Sequence, residues 1–239
     1  MTEAQNVALV TGASTGLGLE TCRQLAARGW GVVLTALSKE DAETAAAALR
    51  EERPGATIVG HELDVTSVDQ ARAAATFVKE RFGRLDTLVN NAAILLEYEL
   101  PGALEVDPEI VRRTFGTNTL GVLTVSQAMI PLLRASRAGG NLVNVSSGLG
   151  SIATMGARFT GYRLSKAAIN ALTLMLHAEL AGSGIRVNAV CPGHVKTPFG
   201  GPMATREIPE GARGIVWAAT LGEGGPSGGF FRDGAPIPW

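Results

Sequence analysis

Short runs of apolar and β-branched residues alternate with longer helix-patterned stretches along the whole chain, and this alternation limits the possible folds more than any other feature. Strand candidates are residues 7–10, 32–35, 57–61, 87–89, 142–145, 186–190 and 229–231. Helix candidates lie between them at 16–27, 39–52, 67–82, 108–133, 162–180 and 210–221. Strands so short and continuously apolar fit a sheet covered on both faces. Strict β–α alternation predicts an α/β fold, a doubly wound parallel sheet of about seven strands with right-handed crossovers and helices on both faces. Turn residues agree, with Arg28-Gly29 after the first helix, Pro54-Gly55 after the second and Gly139-Gly140 before a strand. No internal repeat or linker interrupts the pattern, so residues 1–239 read as a single domain.

A formal net charge of −1 gives no electrostatic reason to expect nucleic acid or an anionic membrane as partner. No apolar run approaches the roughly 20 residues of a membrane helix. The opening MTEAQN has neither the basic nor the apolar region of a signal peptide. Cys22 and Cys191 stand in no metal or redox spacing and are expected to be reduced thiols of a cytoplasmic protein. His61, His177 and His194 are scattered, so no metal site is expected. The helix candidate at 162–180 is unusual: from Leu164 to Leu176 apolar residues cover nearly its whole circumference. Such a helix must be buried on more than one side, and the sheet accounts for only one of them.

Directly after the first strand comes Thr11-Gly12-Ala13-Ser14-Thr15-Gly16-Leu17-Gly18, then an amphipathic helix. Glycines let a backbone turn sharply and approach a pyrophosphate, and the helix N-terminus offers unpaired N–H groups to the anion. Tight β–α turns use glycine anyway, so the strand before and the helix after carry as much weight as the glycines. The spacing is G-x-x-x-G-x-G and not G-x-G-x-x-G. It resembles the cofactor loop of the short-chain dehydrogenase/reductase family, in its single-domain branch, and further matches follow in the family's order across almost the entire chain. Asp64-Val65 resembles the family's adenine-contacting acid and its neighbour. Asn90-Asn91-Ala92-Ala93 resembles its Asn-Asn-Ala-Gly motif, with Ala93 replacing the glycine. Asn118 falls at the family's catalytic asparagine, Ser147 ends Asn144-Val145-Ser146-Ser147, and Tyr162 and Lys166 form Tyr-x-x-x-Lys. Pro192-Gly193 leads through Val195 to Thr197. The resemblance implies a Rossmann-type fold and hydride transfer between a nicotinamide cofactor and a carbonyl or alcohol.

Four apart on a helix, Tyr162 and Lys166 share one face. A tyrosine acting as acid or base near neutrality must shed about three units from a solution pKa near 10, roughly 4 kcal/mol. An ammonium about 4 Å away supplies that much at an effective dielectric near 20. Taken alone, such a pair is more often a capped core helix with a snorkelling lysine. By resemblance, Tyr162 is the proton donor, Lys166 holds the nicotinamide ribose and lowers the phenol pKa, and Ser147 orients the carbonyl. Asn118 then anchors a water linking Lys166 to solvent. Two extra residues between Ser147 and Tyr162 relative to the commonest family spacing leave Ser146 as the alternative serine. A non-catalytic cofactor-binding sensor is the alternative to an enzyme, but such proteins usually lack the tyrosine or the lysine.

The same resemblance distributes the cofactor contacts. Gly12, Ser14, Thr15, Gly16, Leu17 and Gly18 take the phosphates, Asp64 and Val65 the adenine, and Asn91 and Ala92 the passage between. Pro192, Gly193, Val195 and Thr197 take the nicotinamide. Ala36 stands where NAD-preferring relatives carry Asp, and Leu37 where many NADP-preferring ones carry Arg. With Ser38 and Lys39 beside Leu37, and Ser14 in the glycine turn, to hold a 2′-phosphate, NADP(H) is favoured, with NAD(H) as the alternative. The C-terminal third resembles carbonyl reductases, which implies reduction of an aldehyde or ketone. Leu95, Leu149, Met155, Phe199 and Met203 are candidate pocket residues for a hydrophobic substrate, and His194 is left outside the catalytic set. The family commonly pairs the helix of Tyr162 across a two-fold axis, which implies a homodimer or homotetramer.

Overall fold

The computed structural model describes residues 5–97 and 102–239. Its strands are β1 (Val7–Val10), β2 (Gly31–Ala36), β3 (Ile58–Glu62), β4 (Thr87–Asn90), β5 (Asn141–Val145), β6 (Arg186–Val190), β7 (Phe230–Arg232) and β8 (Ala235–Pro236). The helices are α1 (Gly16–Ala27), α2 (Lys39–Glu52), α3 (Val68–Phe82), α4 (Pro108–Phe115), α5 (Gly121–Leu133), α6 (Thr160–Glu179) and α7 (Ile208–Ala219). All strands join one sheet in the order β3-β2-β1-β4-β5-β6-β7-β8. The first seven run parallel, as the alternation predicts, and the short β8 folds back antiparallel on β7. The sequence reading did not anticipate β8, because two residues ending in proline carry no period-2 signal.

The core shows why both faces are covered. Ala8 and Val10 point to the layer that holds Cys22 and Leu25 of α1, Ala46 of α2 and Ile215 of α7. Val7 and Leu9, one residue out of phase, point to the layer that holds Val78 of α3, Met129 of α5 and Leu176 of α6. Side-chain oxygens start the first three crossovers cleanly or leave the task to the backbone: Ser38 caps α2 and Ser67 caps α3, whereas Thr15 makes no side-chain cap to α1. Strand order reverses between β1 and β4, so a crevice opens outside the carboxyl ends of the strands at that point. No helix among the described residues is long and apolar enough to cross a membrane.

One expected element is different. The single helix read at 108–133 is α4, a π turn over Gly116–Leu120, and α5. Its periodicity is continuous, so the sequence pattern does not mark the wider turn. Glycines bound it: a Cβ on Gly121 would lie 2.7 Å from Cγ2 of Val65, so the glycine lets α5 pack tightly beneath the turn that follows β3. π turns of this kind often sit at functional sites, and this one carries Asn118.

Candidate active site

A cavity of about 1240 Å³ runs along the carboxyl ends of the parallel strands. At one end is the β1–α1 turn. Gly12 adopts φ +60, and a Cβ there would stand 2.8 Å from Cα of Ala92. Gly18 leaves no room either, since its Cβ would lie 2.5 Å from the Gly12 carbonyl oxygen. The turn is tied down from β4: Asn91 Nδ2 donates to the carbonyls of Thr11 and Gly12, and Thr11 Oγ1 accepts from the N–H groups of Asn91 and Ala92. The result is a rigid, glycine-bared helix start open to the cavity, the surface an anionic pyrophosphate requires. Gly12, Thr15, Gly16 and Leu17 line the cavity; Ser14 and Gly18 do not, and Gly18 serves close packing.

Beyond that turn, Leu37, Asp64, Val65, Asn91 and Ala92 continue the wall. Ser67 takes the helix-capping task, and Thr66 bonds one oxygen of Asp64 through its N–H and hydroxyl, so Asp64 is a lining residue and not the α3 cap. Ala36 packs into the core, and Leu37, 74% exposed, is the side chain that faces the cavity at the end of β2. Ser38 and Lys39 are outside the lining, and the Ser38 hydroxyl is bonded to Asp41. Pro192, Gly193, Val195 and Thr197 form the opposite lip, where Cγ2 of Thr197 faces Gly16.

At the other end Ser147, Tyr162 and Lys166 come together on one wall. Lys166 is buried, and its Nζ donates to the Val145 carbonyl at 2.8 Å and lies 5.5 Å from the centre of the Tyr162 ring. Burial pushes its ammonium down to about 8, opposed weakly by Cys191. The tyrosine ring meets Phe199 edge-on, with centroids 6.4 Å apart. The two serines separate by environment. Ser146 is buried with its hydroxyl on Asn170 Oδ1 at 2.6 Å, whereas Ser147 is half-buried and starts the 3-10 turn through the Leu149 N–H. Asn118 lies behind this wall. Its amide accepts from the Ile94 N–H and donates to the Ile94 carbonyl and to Ser165 Oγ. Of the expected apolar residues, Leu95, Leu149, Phe199 and Met203 line the cavity; Met155 does not, and Phe159 does. His194 lines it too, with Nε2 against the Gly200 carbonyl.

Two groups here escaped the sequence reading. Glu97, buried and 64 residues before Gly161, accepts the Gly161 and Tyr162 N–H groups at 2.8 Å, one on each carboxylate oxygen. It substitutes for a local cap, because Phe159 at the N-cap is left-handed at φ 53 and makes no side-chain bond. Gly161 makes space for it, since a Cβ there would be 3.3 Å from Glu97 Oε2. The available signal was an acid directly after Ile94-Leu95-Leu96. The second group is a buried polar chain in which Asn90 donates to Ser126 and Asn144, and Asn144 to Thr173. It joins β4 and β5 to α5 and α6 beneath the site and fixes the helix of Tyr162 against the sheet.

Comparison with known proteins accords with this geometry. Residues 6–207 match the family model described as short chain dehydrogenase. The short-chain dehydrogenase anuI of Penicillium roqueforti is 38% identical, covering 90% of this chain and 88% of its own. Carbonyl reductase [NADPH] 1 of Mus musculus is 30% identical over the full length of both chains. The crystal structure of NADPH-bound carbonyl reductase from chicken fatty liver superposes with a TM-score of 0.86 at 28% identity, covering 98% of this chain and 94% of that one. The fold, the order of the motifs and the matched span together make this chain a member of the short chain dehydrogenase family, and so an oxidoreductase.

Proposed function

We propose that the protein reduces an aldehyde or ketone to an alcohol with NADP(H), and that Tyr162 donates the proton. The observation that carries this reading is one cavity shared by the Gly12–Leu17 turn, Ser147, Tyr162 and the buried Lys166. When bound, the nicotinamide supplies the hydride. Ser147 donates a hydrogen bond to the carbonyl oxygen and orients it beside the phenol. As charge develops on that oxygen, Tyr162 transfers its proton, and the Lys166 ammonium stabilises the phenolate left behind. Lys166 also holds the nicotinamide ribose. Both amide hydrogens of Asn118 go to Ile94 and Ser165 and its oxygen accepts from Ile94, so its side chain also holds the wall behind Tyr162. The apolar lining from Leu95, Leu149, Phe159 and Phe199 suits a hydrophobic carbonyl compound.

NADP(H) is preferred over NAD(H) because no acid faces the cavity at the end of β2, and the relatives named for NADPH agree. Lys39, exposed at the start of α2, is the cation available to a 2′-phosphate. The working unit is a homodimer or homotetramer in the cytoplasm. Leu164 and Met175, 50% and 58% exposed on one face of α6, together with Leu120, leave an apolar surface that a second copy covers. Assaying a panel of aldehydes and ketones with NADPH and NADH tests the activity: the expected result is turnover with NADPH favoured, and no turnover of any carbonyl overturns it. Sedimentation at micromolar concentration tests the assembly; a single species of monomer mass overturns it.

A further inference from the structure

The cavity holds one cation that the proposed mechanism does not use. Arg232 ends β7, and its guanidinium folds over Gly148, the residue after Ser147. A Cβ on Gly148 would be 2.8 Å from Arg232 Nη2, so the glycine admits the guanidinium to this wall. Nη2 donates to Cys191 Sγ at 3.2 Å, and that sulfur also accepts the Gly148 N–H at 3.1 Å. The guanidinium is thus pinned by one N–H, and its other donors are not spent on any carboxylate. Among the described residues Arg232 makes no ion pair, and neighbouring Asp233 gives both oxygens to Arg206, at 2.8 and 3.0 Å.

Its place relative to the other charges matters. Asp64 follows β3, at the opposite end of the sheet order from β7, six strand positions away. At about 4.8 Å per strand this is roughly 29 Å, so Asp64 neither pairs with Arg232 nor competes with it for a bound molecule. Lys166 lies nearer but is turned to Val145. Arg232 is exposed and shares the cavity lining with the apolar Leu149, Ile237 and Pro238. Asp233, the neighbouring carboxylate that feels its charge, is bonded to Arg206. A neutral hydrocarbon ketone would leave this exposed fork to water. A planar oxyanion would take it bidentately, which is what guanidinium geometry selects.

Resting on the carbonyl-reductase reading, we infer that the preferred substrates are oxo acids: an aldehyde or ketone on an apolar body that also bears a carboxylate, with Arg232 the residue that binds the carboxylate. The acid group takes no part in the chemistry. Hydride adds to the carbonyl carbon, the proton from Tyr162 to its oxygen, and the carboxylate leaves unchanged on the hydroxy acid.

The test uses three phenyl ketones, benzoylformate, 3-benzoylpropionate and 4-benzoylbutyrate, each beside its methyl ester, with NADPH and the full-length protein. The expected result is that at least one acid exceeds its ester in kcat/KM by about tenfold, the scale of a charge-assisted hydrogen bond. In Arg232→Met that acid-to-ester ratio falls about tenfold, chiefly through KM, and Arg232→Lys retains part of it because charge survives without the fork. Esters reduced as well as acids at every tether length, or a ratio unchanged in Arg232→Met, overturns the inference and leaves the carbonyl-reductase reading standing. A wild type that reduces neither acids nor esters, nor any carbonyl of the wider panel, overturns both.

Discussion

At the glycine-turn end of the cavity the wall is shaped by backbone, whereas at the tyrosine end it is side chains gathered from distant segments. The β1–α1 turn is shaped by glycines whose missing Cβ atoms let Gly12 approach Ala92 and Gly18 approach Gly12. Such a surface tolerates little variation, because a methyl group at 2.5 to 2.8 Å from backbone must move the backbone itself. The tyrosine end takes Ser147 from the turn after β5, Tyr162 and Lys166 from α6, and Phe199 from the loop before α7. Its outer wall takes Arg232 from β7. Each side chain there is exchangeable without disturbing the sheet, so one fold can keep its cofactor surface and change its substrate.

The sharpest way to break this contrast is Tyr162→Phe, which removes one oxygen from the side-chain end and nothing from the backbone end. Turnover is expected to fall about 10²–10⁴-fold, while the affinity for NADPH, read by fluorescence titration, changes little. Near-wild-type turnover on a confirmed substrate would remove Tyr162 from the mechanism.

Lys166 belongs to both ends, and its pH behaviour sharpens the boundary between them. Its pKa is lowered from 10.5 to about 8 by burial, so the unfolded chain binds this proton more tightly than the folded one. Below about pH 8 the buried ammonium destabilises the fold in full; between 8 and 10.5 that penalty is progressively relieved. The difference amounts to about 3 kcal/mol at most. Lys166→Met, which fills similar space without charge, should therefore be more stable than wild type near neutrality, with the gap closing as pH rises through that window. Urea titrations across the window check this, and parallel pH profiles for the two proteins would refute it. The same substitution should weaken NADPH binding.

How far the sequence reveals each end follows from the same contrast. Glycine positions dictate backbone geometry locally, so Gly12, Gly16 and Gly18, read with the strand before them and the helix after, marked the tight β1–α1 turn. The Tyr162 and Lys166 pair was equally local, four residues apart on one helix. The parallel, doubly wound sheet followed from alternation. What stayed hidden required contact across the sequence: the carboxylate of Glu97 beneath Tyr162, and the polar chain from Asn90 through Asn144 to Thr173. Gln70 and Thr66 around Asp64 likewise show no sign of their bonds in the residue pattern. The π turn at Asn118 was hidden for another reason, since a single turn of five residues within 108–133 is too short to show as a break in the helical pattern.

Glu97 offers a smaller test at the side-chain end. Its two bonds supply the cap that left-handed Phe159 cannot, so Glu97→Ala should cost about 1–2 kcal/mol, as the loss of a good N-cap does. Because one bond goes to the Tyr162 N–H itself, kcat should also drop, by about tenfold on the same energy scale. KM for NADPH should hold, since the phosphate turn shares no bond with Glu97. Glu97→Gln keeps one acceptor and should recover part of the loss in kcat. A variant that loses stability with kcat unchanged would make Glu97 a cap and nothing more, and a shift in NADPH affinity would show that the two ends are coupled.

The smallest expected effect is at an exposed side chain of the backbone end. Leu37, 74% exposed, faces the cavity where β2 ends, beside Lys39. Replacing it with Arg adds a guanidinium to a site that already lacks an acid, and the fold bears the change because Leu37 contributes little buried surface. An exposed charge pair is worth up to about 1 kcal/mol, so the ratio of NADPH to NADH affinity should rise about fivefold, and by less at high salt. NADH affinity should stay where it was, because the added charge has no 2′-phosphate to meet in that cofactor. Titrating both reduced cofactors against wild type and Leu37→Arg at two salt concentrations decides the matter. If NADH gains as much as NADPH, the end of β2 does not lie beside the 2′-position, and the lining of this cavity has been matched to the wrong part of the dinucleotide.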